Sequence, residues 1–178
     1  IEKHRRNTLA QHAAHVHPFE PVWDRHCRVL VLGSFPSVLS RQNAFYYGNP
    51  RNRFWQVLGN VWAEDVPDDI AGRKQWLLAH HIALWDALQA CEIRGSADAA
   101  IRQAVPQDLT PLIENSRIGH VFLNGRTAAR YAQPQAERAG LSFTVLPSTS
   151  PANAAWGVDR LTEAWRVVRQ AVEQEGTA

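Results

Sequence analysis

Asn52, flanked by Arg51 and Arg53 and preceded by the aromatic run Phe45-Tyr46-Tyr47, is where residue types in this sequence could do chemistry. Rings stack on flat bases, guanidinium groups fork onto phosphate oxygens, and a side-chain amide can hold a water or a base edge. An asparagine at a loop-to-helix boundary is also a common N-cap, and composition alone leaves both readings of Asn52 open. Tyr47 sits between turn formers rather than on a helical face, which favours a ring offered to a ligand. Phe54 and Trp55 instead repeat with Leu58 and Val61 at helical spacing and read as core.

Three other places could add polar groups. Gly33-Ser-Phe-Pro-Ser37 is a turn that puts Ser34 and Phe35 just beyond an apolar run. Asp86 ends a second apolar run, Ile82-Ala-Leu-Trp, where a carboxylate either caps a following helix or accepts hydrogen bonds from a ligand. Leu146-Pro-Ser-Thr-Ser-Pro151 is a hydroxyl-rich loop braced by prolines. Ser148, Thr149, Ser150 and the nearby Asn153 could grip phosphates there, and an ordinary exposed turn has the same composition. His12, His15 and His17 are close in sequence, but no thiol or carboxylate joins them at ligand spacing, so no metal is expected. His80 and His81 read as a helix C-terminal feature. There is no Walker loop, no G-x-G-x-x-G and no Ser-His-Asp order.

The elements that must position these groups follow from hydrophobic pattern. Arg28–Gly33, Ile82–Asp86, Ile118–Asn124 and Ser142–Leu146 are short, largely apolar runs closed by Gly, Asp, Asn or Pro, and read as strands. Helical periodicity covers residues 52–60, 68–80, 127–139 and 161–172 between and after them. Strands alternating with helices predict an α/β domain, with a mainly parallel sheet carrying helices on both faces. Its strand ends would bring Ser34, Asp86, Asn124 and Ser148 to one edge, where ligands bind in open parallel sheets. A single domain over 1–178 is expected. Residues 1–17 are read as a peripheral segment, a short helical stretch followed by an outer path through His15-Val-His-Pro-Phe.

Composition narrows the function classes. The chain has 178 residues, 45% hydrophobic and 20% charged, as in ordinary globular domains. No apolar run approaches the roughly 20 residues of a membrane span. The opening Ile1-Glu-Lys-His-Arg-Arg-Asn7 has no apolar stretch behind its charges, so no secretory signal is visible and a cytoplasmic protein is expected. Two cysteines, Cys27 and Cys91, cannot build a disulfide framework or a four-cysteine iron–sulfur site. Net charge is only +2, yet Lys3 and Lys74 are the only lysines, the other basic residues being arginines. Arginine suits forked phosphate contacts, although a codon bias produces the same excess.

Taken together, Gly33-Ser-Phe-Pro-Ser37, Tyr46-Tyr-Gly-Asn-Pro-Arg-Asn-Arg-Phe-Trp55, Ile82-Ala-Leu-Trp-Asp86 and Leu146-Pro-Ser-Thr-Ser-Pro151 resemble the hypoxanthine (deoxyinosine) DNA glycosylases of the uracil-DNA glycosylase superfamily. The resemblance runs from about Pro18 to Trp165. It implies a three-layer α/β/α sandwich on a four-stranded parallel sheet, and hydrolysis of the N-glycosidic bond of a deaminated base without a cofactor. It places the catalytic asparagine at Asn52, the ring-stacking position at Tyr47 and base recognition at Asp86. Ser34, Phe35 and Leu146 complete the expected base pocket, with Arg51, Arg53, Ser148, Thr149, Ser150 and Asn153 on the DNA. Phe35 stands where mismatch-specific uracil enzymes carry their asparagine, and Leu146 where uracil-excising relatives carry histidine, which argues against strong uracil-type activity. Asn49-Pro50 replaces an expected His-Pro. The expected partner is double-stranded DNA bearing the lesion, with single-stranded DNA as a further target, bound by a monomer away from membranes. A catalytically impaired damage-binding module and a hydrolase of free nucleosides are the competing classes.

Overall fold

The computed structural model describes residues 14–43, 45–92 and 101–175. Four strands, β2 (Val29–Gly33), β3 (Ile82–Asp86), β6 (His120–Asn124) and β7 (Ser142–Leu146), form a parallel sheet in the order β3-β2-β6-β7. The central strand β2 is buried along its whole length, which explains its unbroken apolar sequence. Its side chains alternate between two cores. Val29 and Val31 pack with Phe54, Leu58, Leu161 and Trp165, whereas Leu30 and Leu32 pack with Leu112, Ala128, Ala132 and Ala136. Each fully buried aliphatic side chain contributes about 1.5–3 kcal/mol, so both cores are needed to hold the sheet.

The first core lies under α2 (Phe54–Trp62), α3 (Ile70–Ala79) and α6 (Val158–Glu175); the second lies under α4 (Thr110–Glu114) and α5 (Arg126–Arg138). This is the three-layer sandwich with a four-stranded parallel sheet. Helix α6 buries Leu161, Trp165, Val168 and Val172, one stripe at helical spacing. The face that helix α5 buries against the sheet is alanine: Ala128, Ala129, Ala132 and Ala136. Asp69 caps α3 by accepting the Gly72 N–H, and His80 ends that helix.

A second sheet was not anticipated. β1 (Ala14–Val16), β4 (Leu88–Glu92) and β5 (Arg102–Pro106) pair antiparallel in the order β1-β4-β5. Only Ala87 separates β3 from β4, and its N–H donates to the Gly33 carbonyl at 2.7 Å. No helix follows Asp86, so the helix-cap reading of that carboxylate is excluded. A short helix, α1 (Val38–Asn43), also interrupts the loop after β2. The helical stretch expected before residue 14 lies outside the described residues. From there, Val16 points outward at 70% exposure while the His17 side chain turns inward. Among the described residues, no helix is long and apolar enough to cross a membrane.

Candidate active site

The strand register decides which residues meet. Gly33 pairs with Asp86 and Asn124 with Leu146, so these four form a row along the carboxyl edge of the sheet. Over that edge lies a cleft of about 940 Å³, within the usual range for ligand pockets. Ser34, Phe35, Tyr47, Asn52, Asp86, Leu146, Ser148, Thr149, Ser150 and Asn153 all line it, together with Asn49 and Asn124. Arg51 and Arg53 stand outside its walls.

Tyr47 adopts φ 53°, a left-handed conformation that costs a bulky residue about 1–2 kcal/mol. Two contacts hold it there. Its ring stacks on Phe54 at 3.9 Å between centroids and 23° between planes, and its hydroxyl accepts a hydrogen bond from Asn124 Nδ2 at 3.1 Å. Neighbouring Tyr46 is core, donating from its hydroxyl to the Glu20 carbonyl at 2.7 Å; burial, then the charge of Asp86, pushes its phenol well above the ordinary range. Gly33 makes the close packing possible. A Cβ there would lie 2.4 Å from Asp86 Oδ1 and 2.8 Å from the Tyr47 hydroxyl.

Asn52 reconciles the two readings left open by sequence. Its Oδ1 accepts the Phe54 N–H at 3.0 Å at the start of α2, as a capping side chain would. The same oxygen accepts from the Thr149 hydroxyl at 2.9 Å. Thr149 Oγ1 in turn accepts from Asn124 Nδ2 at 3.0 Å, and Asn124 Oδ1 accepts the Thr149 N–H at 3.0 Å. Both lone pairs of Asn52 Oδ1 are therefore engaged, and the Phe54 N–H, which can only donate, fixes which end of the amide is oxygen. Nδ2 makes no hydrogen bond to the described residues and is the end left for a ligand.

Two expected DNA contacts turn inward instead. Thr149 is fully buried and bonds to Asn52 and Asn124, so it cannot touch a phosphate. Arg53 donates to the carbonyls of Ser150 at 2.8 Å, Asn153 at 3.1 Å and Thr149 at 3.4 Å, and also to that of Trp156. Its planar fork suits several fixed carbonyls at once, and its consequence is a pinned loop rather than a free cation. Arg51 is exposed at the rim. Within the pinned loop, Ser148 Oγ accepts the Ser150 N–H at 3.1 Å, and Asn153 Nδ2 donates to the Ser148 carbonyl at 3.0 Å.

Two residues not assigned to the expected base pocket or DNA contacts join the site: Asn124, expected only at the sheet edge, and His17. Asn124 links Tyr47 to Thr149, and its place at a strand end beside Gly125 was the signal for it. His17 reaches Asp86 from 69 positions away, with Nε2 at 2.8 Å from Oδ2 and side chains only 3% and 6% exposed. Phe35 sits edge-on to this imidazole at 5.8 Å. No local pattern announces a contact of that sequence separation.

Comparison with known proteins agrees with the geometry. The family model described as "Uracil DNA glycosylase superfamily" matches residues 21–169. A Hypoxanthine DNA glycosylase of Methanosarcina acetivorans is 36% identical, over 84% of this chain and 95% of its own length. A protein of the same name from Methanosarcina barkeri is 32% identical, over 76% and 86% respectively. The solution NMR structure of a Methanosarcina acetivorans protein, provisionally described as a uracil DNA glycosylase, superposes with a TM-score of 0.76 at 33% identity, covering 87% of this chain and 96% of that one. A fold, a cleft and relatives that agree over most of the sequence place this chain in the uracil DNA glycosylase superfamily, a family of DNA glycosylases.

Proposed function

We propose that this protein excises hypoxanthine, and uracil less readily, from double-stranded DNA by hydrolysing the N-glycosidic bond. The observation that carries the reading is the convergence of Tyr47, Asn52 and Asp86 on one cleft at the sheet edge, in a chain whose relatives are named for hypoxanthine. A base must leave the stack to reach such a cleft, which costs a few kcal/mol and least for a mispaired base. Tyr47, braced by Phe54 and Asn124, is the platform on which the extruded base rests, and Asp86 reads its edge. Phe35, Leu146 and Ser34 close the pocket around it.

Asn52 is not a general base, because an amide takes up no proton near neutral pH. With Oδ1 engaged, Nδ2 donates to the oxygen of the attacking water and holds it near the sugar carbon, a proximity effect. Bond breaking leaves positive charge on the sugar, which the DNA phosphates stabilise. Arg51 and the hydroxyls of Ser148 and Ser150 grip the backbone, while Arg53 keeps the loop in shape. A lyase step needs a nucleophilic amine. Lys74 sits on α3 with its ammonium 5.8 Å from the Phe45 ring, and among the described residues no lysine lines the cleft, which supports a monofunctional reaction. The enzyme acts as an intracellular monomer.

The test is a duplex carrying one deoxyinosine, incubated with the protein and then treated with alkali to cut abasic sites. Cleavage at the lesion is expected. Asn52→Ala is expected to lower the single-turnover rate at least about 100-fold while leaving DNA binding nearly unchanged. An uncut duplex overturns the reading, and a mutant at wild-type rate removes Asn52 from its role.

A further inference from the structure

His17 belongs to none of the motifs that define the cleft, yet its ring is buried behind Asp86, enclosed by Phe19, Phe35 and Tyr46. The backbone holds it there: β1 pairs with β4, and the His17 N–H donates to the Gln89 carbonyl at 2.7 Å. Nδ1 lies 2.8 Å from the Phe19 carbonyl, which can only accept, so Nδ1 carries a hydrogen. A bare Nδ1 would set two lone pairs against each other at that distance, and the Phe19 N–H, at 3.4 Å, is too far to favour it.

The consequence falls on Asp86. One proton lies between His17 Nε2 and Asp86 Oδ2, either donated by the imidazole to a carboxylate or by a carboxylic acid to the ring. In both arrangements Oδ1 keeps only lone pairs. That oxygen has no hydrogen-bond partner among the described residues, and Asp86 lines the cleft. It cannot rotate away, because Oδ2 is tied to His17 and Gly33 lies directly beneath it.

We propose that His17 and Asp86 form a reader of deamination, in which His17 is a positioning residue that locks Asp86 Oδ1 as a pure hydrogen-bond acceptor facing the extruded base. Deamination changes the ring nitrogen beside the altered carbon. Adenine N1 and cytosine N3 are lone-pair acceptors; hypoxanthine N1 and uracil N3 carry hydrogen. A locked acceptor pairs with the deaminated base and opposes the parent with lone pair against lone pair. A polar site that leaves a group unpaired against the wrong substrate discriminates far better than an apolar one. The pair thus selects the chemical class, bases with a ring N–H at the pairing edge, and the inference rests on the cleft being the base pocket.

The test uses the wild-type protein and two variants with deoxyinosine duplexes under single-turnover conditions. Wild type is expected to release hypoxanthine and to leave N1-methylhypoxanthine, whose N–H is replaced, in place. His17→Leu removes the lock and is expected to slow hypoxanthine release by about 10- to 100-fold, the worth of a hydrogen bond to a charged group. Its affinity for an abasic duplex, where no base meets Asp86, should stay at the wild-type level. His17→Gln restores a donor onto Oδ2 and should recover most of the rate. Release of N1-methylhypoxanthine at the hypoxanthine rate, His17→Leu at wild-type rate, or His17→Gln no faster than His17→Leu overturns the proposal. The methylated lesion decides even where the leucine variant fails to fold. A wild-type protein that cuts no lesion removes the functional reading itself, a distinct result.

Discussion

Replacing Gly33 by alanine tests how tightly the base pocket is drawn. The new Cβ would meet Asp86 Oδ1 at 2.4 Å and the Tyr47 hydroxyl at 2.8 Å, where ordinary contacts are no closer than 3.4 Å. One partner must give by more than half an ångström and the other by about one. Neither is the loose end of a flexible chain. Asp86 is held through Oδ2 by His17, and the Tyr47 hydroxyl by Asn124. The backbone cannot yield either, since Gly33 lies in the fully buried central strand and pairs with Asp86 itself. Inserting a methyl group into such packing costs about 1–3 kcal/mol. In a chain of this length that lowers the melting temperature by about 2–12 °C. Displacing Asp86 Oδ1 by about 1 Å should also slow base release by about 100-fold, because positioning errors of that size act steeply on rate. Thermal melting followed by circular dichroism, together with single-turnover cleavage of a deoxyinosine duplex, measures both. A Gly33→Ala protein that melts within about 1 °C of wild type and cuts at its rate would refute the packing argument.

Thr149→Val keeps the volume of a buried side chain but removes the hydroxyl that holds Asn52 Oδ1 and receives Asn124 Nδ2. It should cost about 1 kcal/mol in a urea titration and slow cleavage by about 10-fold, with DNA affinity unchanged. Arg51→Ala should weaken binding to every duplex alike and reduce the slope of log affinity against log salt by about 1, as read by fluorescence anisotropy at several salt concentrations. His81 follows α3 at φ 61°, and burial, then the charge of Arg28, lowers its imidazole below the ordinary value of 6.5. The folded state therefore favours the neutral ring. That contribution is complete above 6.5 and is lost as pH falls from there through the folded value. Asparagine accepts the left-handed backbone and does not titrate, so His81→Asn should lose less melting temperature than wild type between pH 7.5 and pH 5.5.

The parallel sheet was legible because β2, β3 and β6 are buried, largely apolar runs with a terminator, which need no alternation, while the more exposed Ser142-Phe-Thr-Val-Leu146 is marked by its β-forming residues and the proline that follows. The antiparallel sheet was not. Leu88-Gln-Ala-Cys-Glu92 and Arg102-Gln-Ala-Val-Pro106 are half-polar, and β5 is mostly exposed, so neither run stands out from loop. Asn52, Tyr47 and Asp86 reached a common cleft as their positions implied, since strand ends and the loop above them share one edge. Thr149 and Arg53 show where composition misleads. A hydroxyl and a guanidinium in a loop look like phosphate ligands, and only the three-dimensional path of residues 147–156 reveals carbonyls and amides that use them first. His17 was beyond reach, because its pairing with Asp86 depends on the second sheet.

The Arg53 clamp has a consequence for how the enzyme responds to its surroundings. Its partners are neutral dipoles, not carboxylates, and mobile ions screen charge against charge far more than charge against a carbonyl in contact. Raising ionic strength should strip the protein from its duplex yet leave the wall of the reaction chamber undeformed. Once enough protein is supplied to saturate the DNA, the chemical step should therefore proceed at one pace across a wide range of electrolyte concentrations.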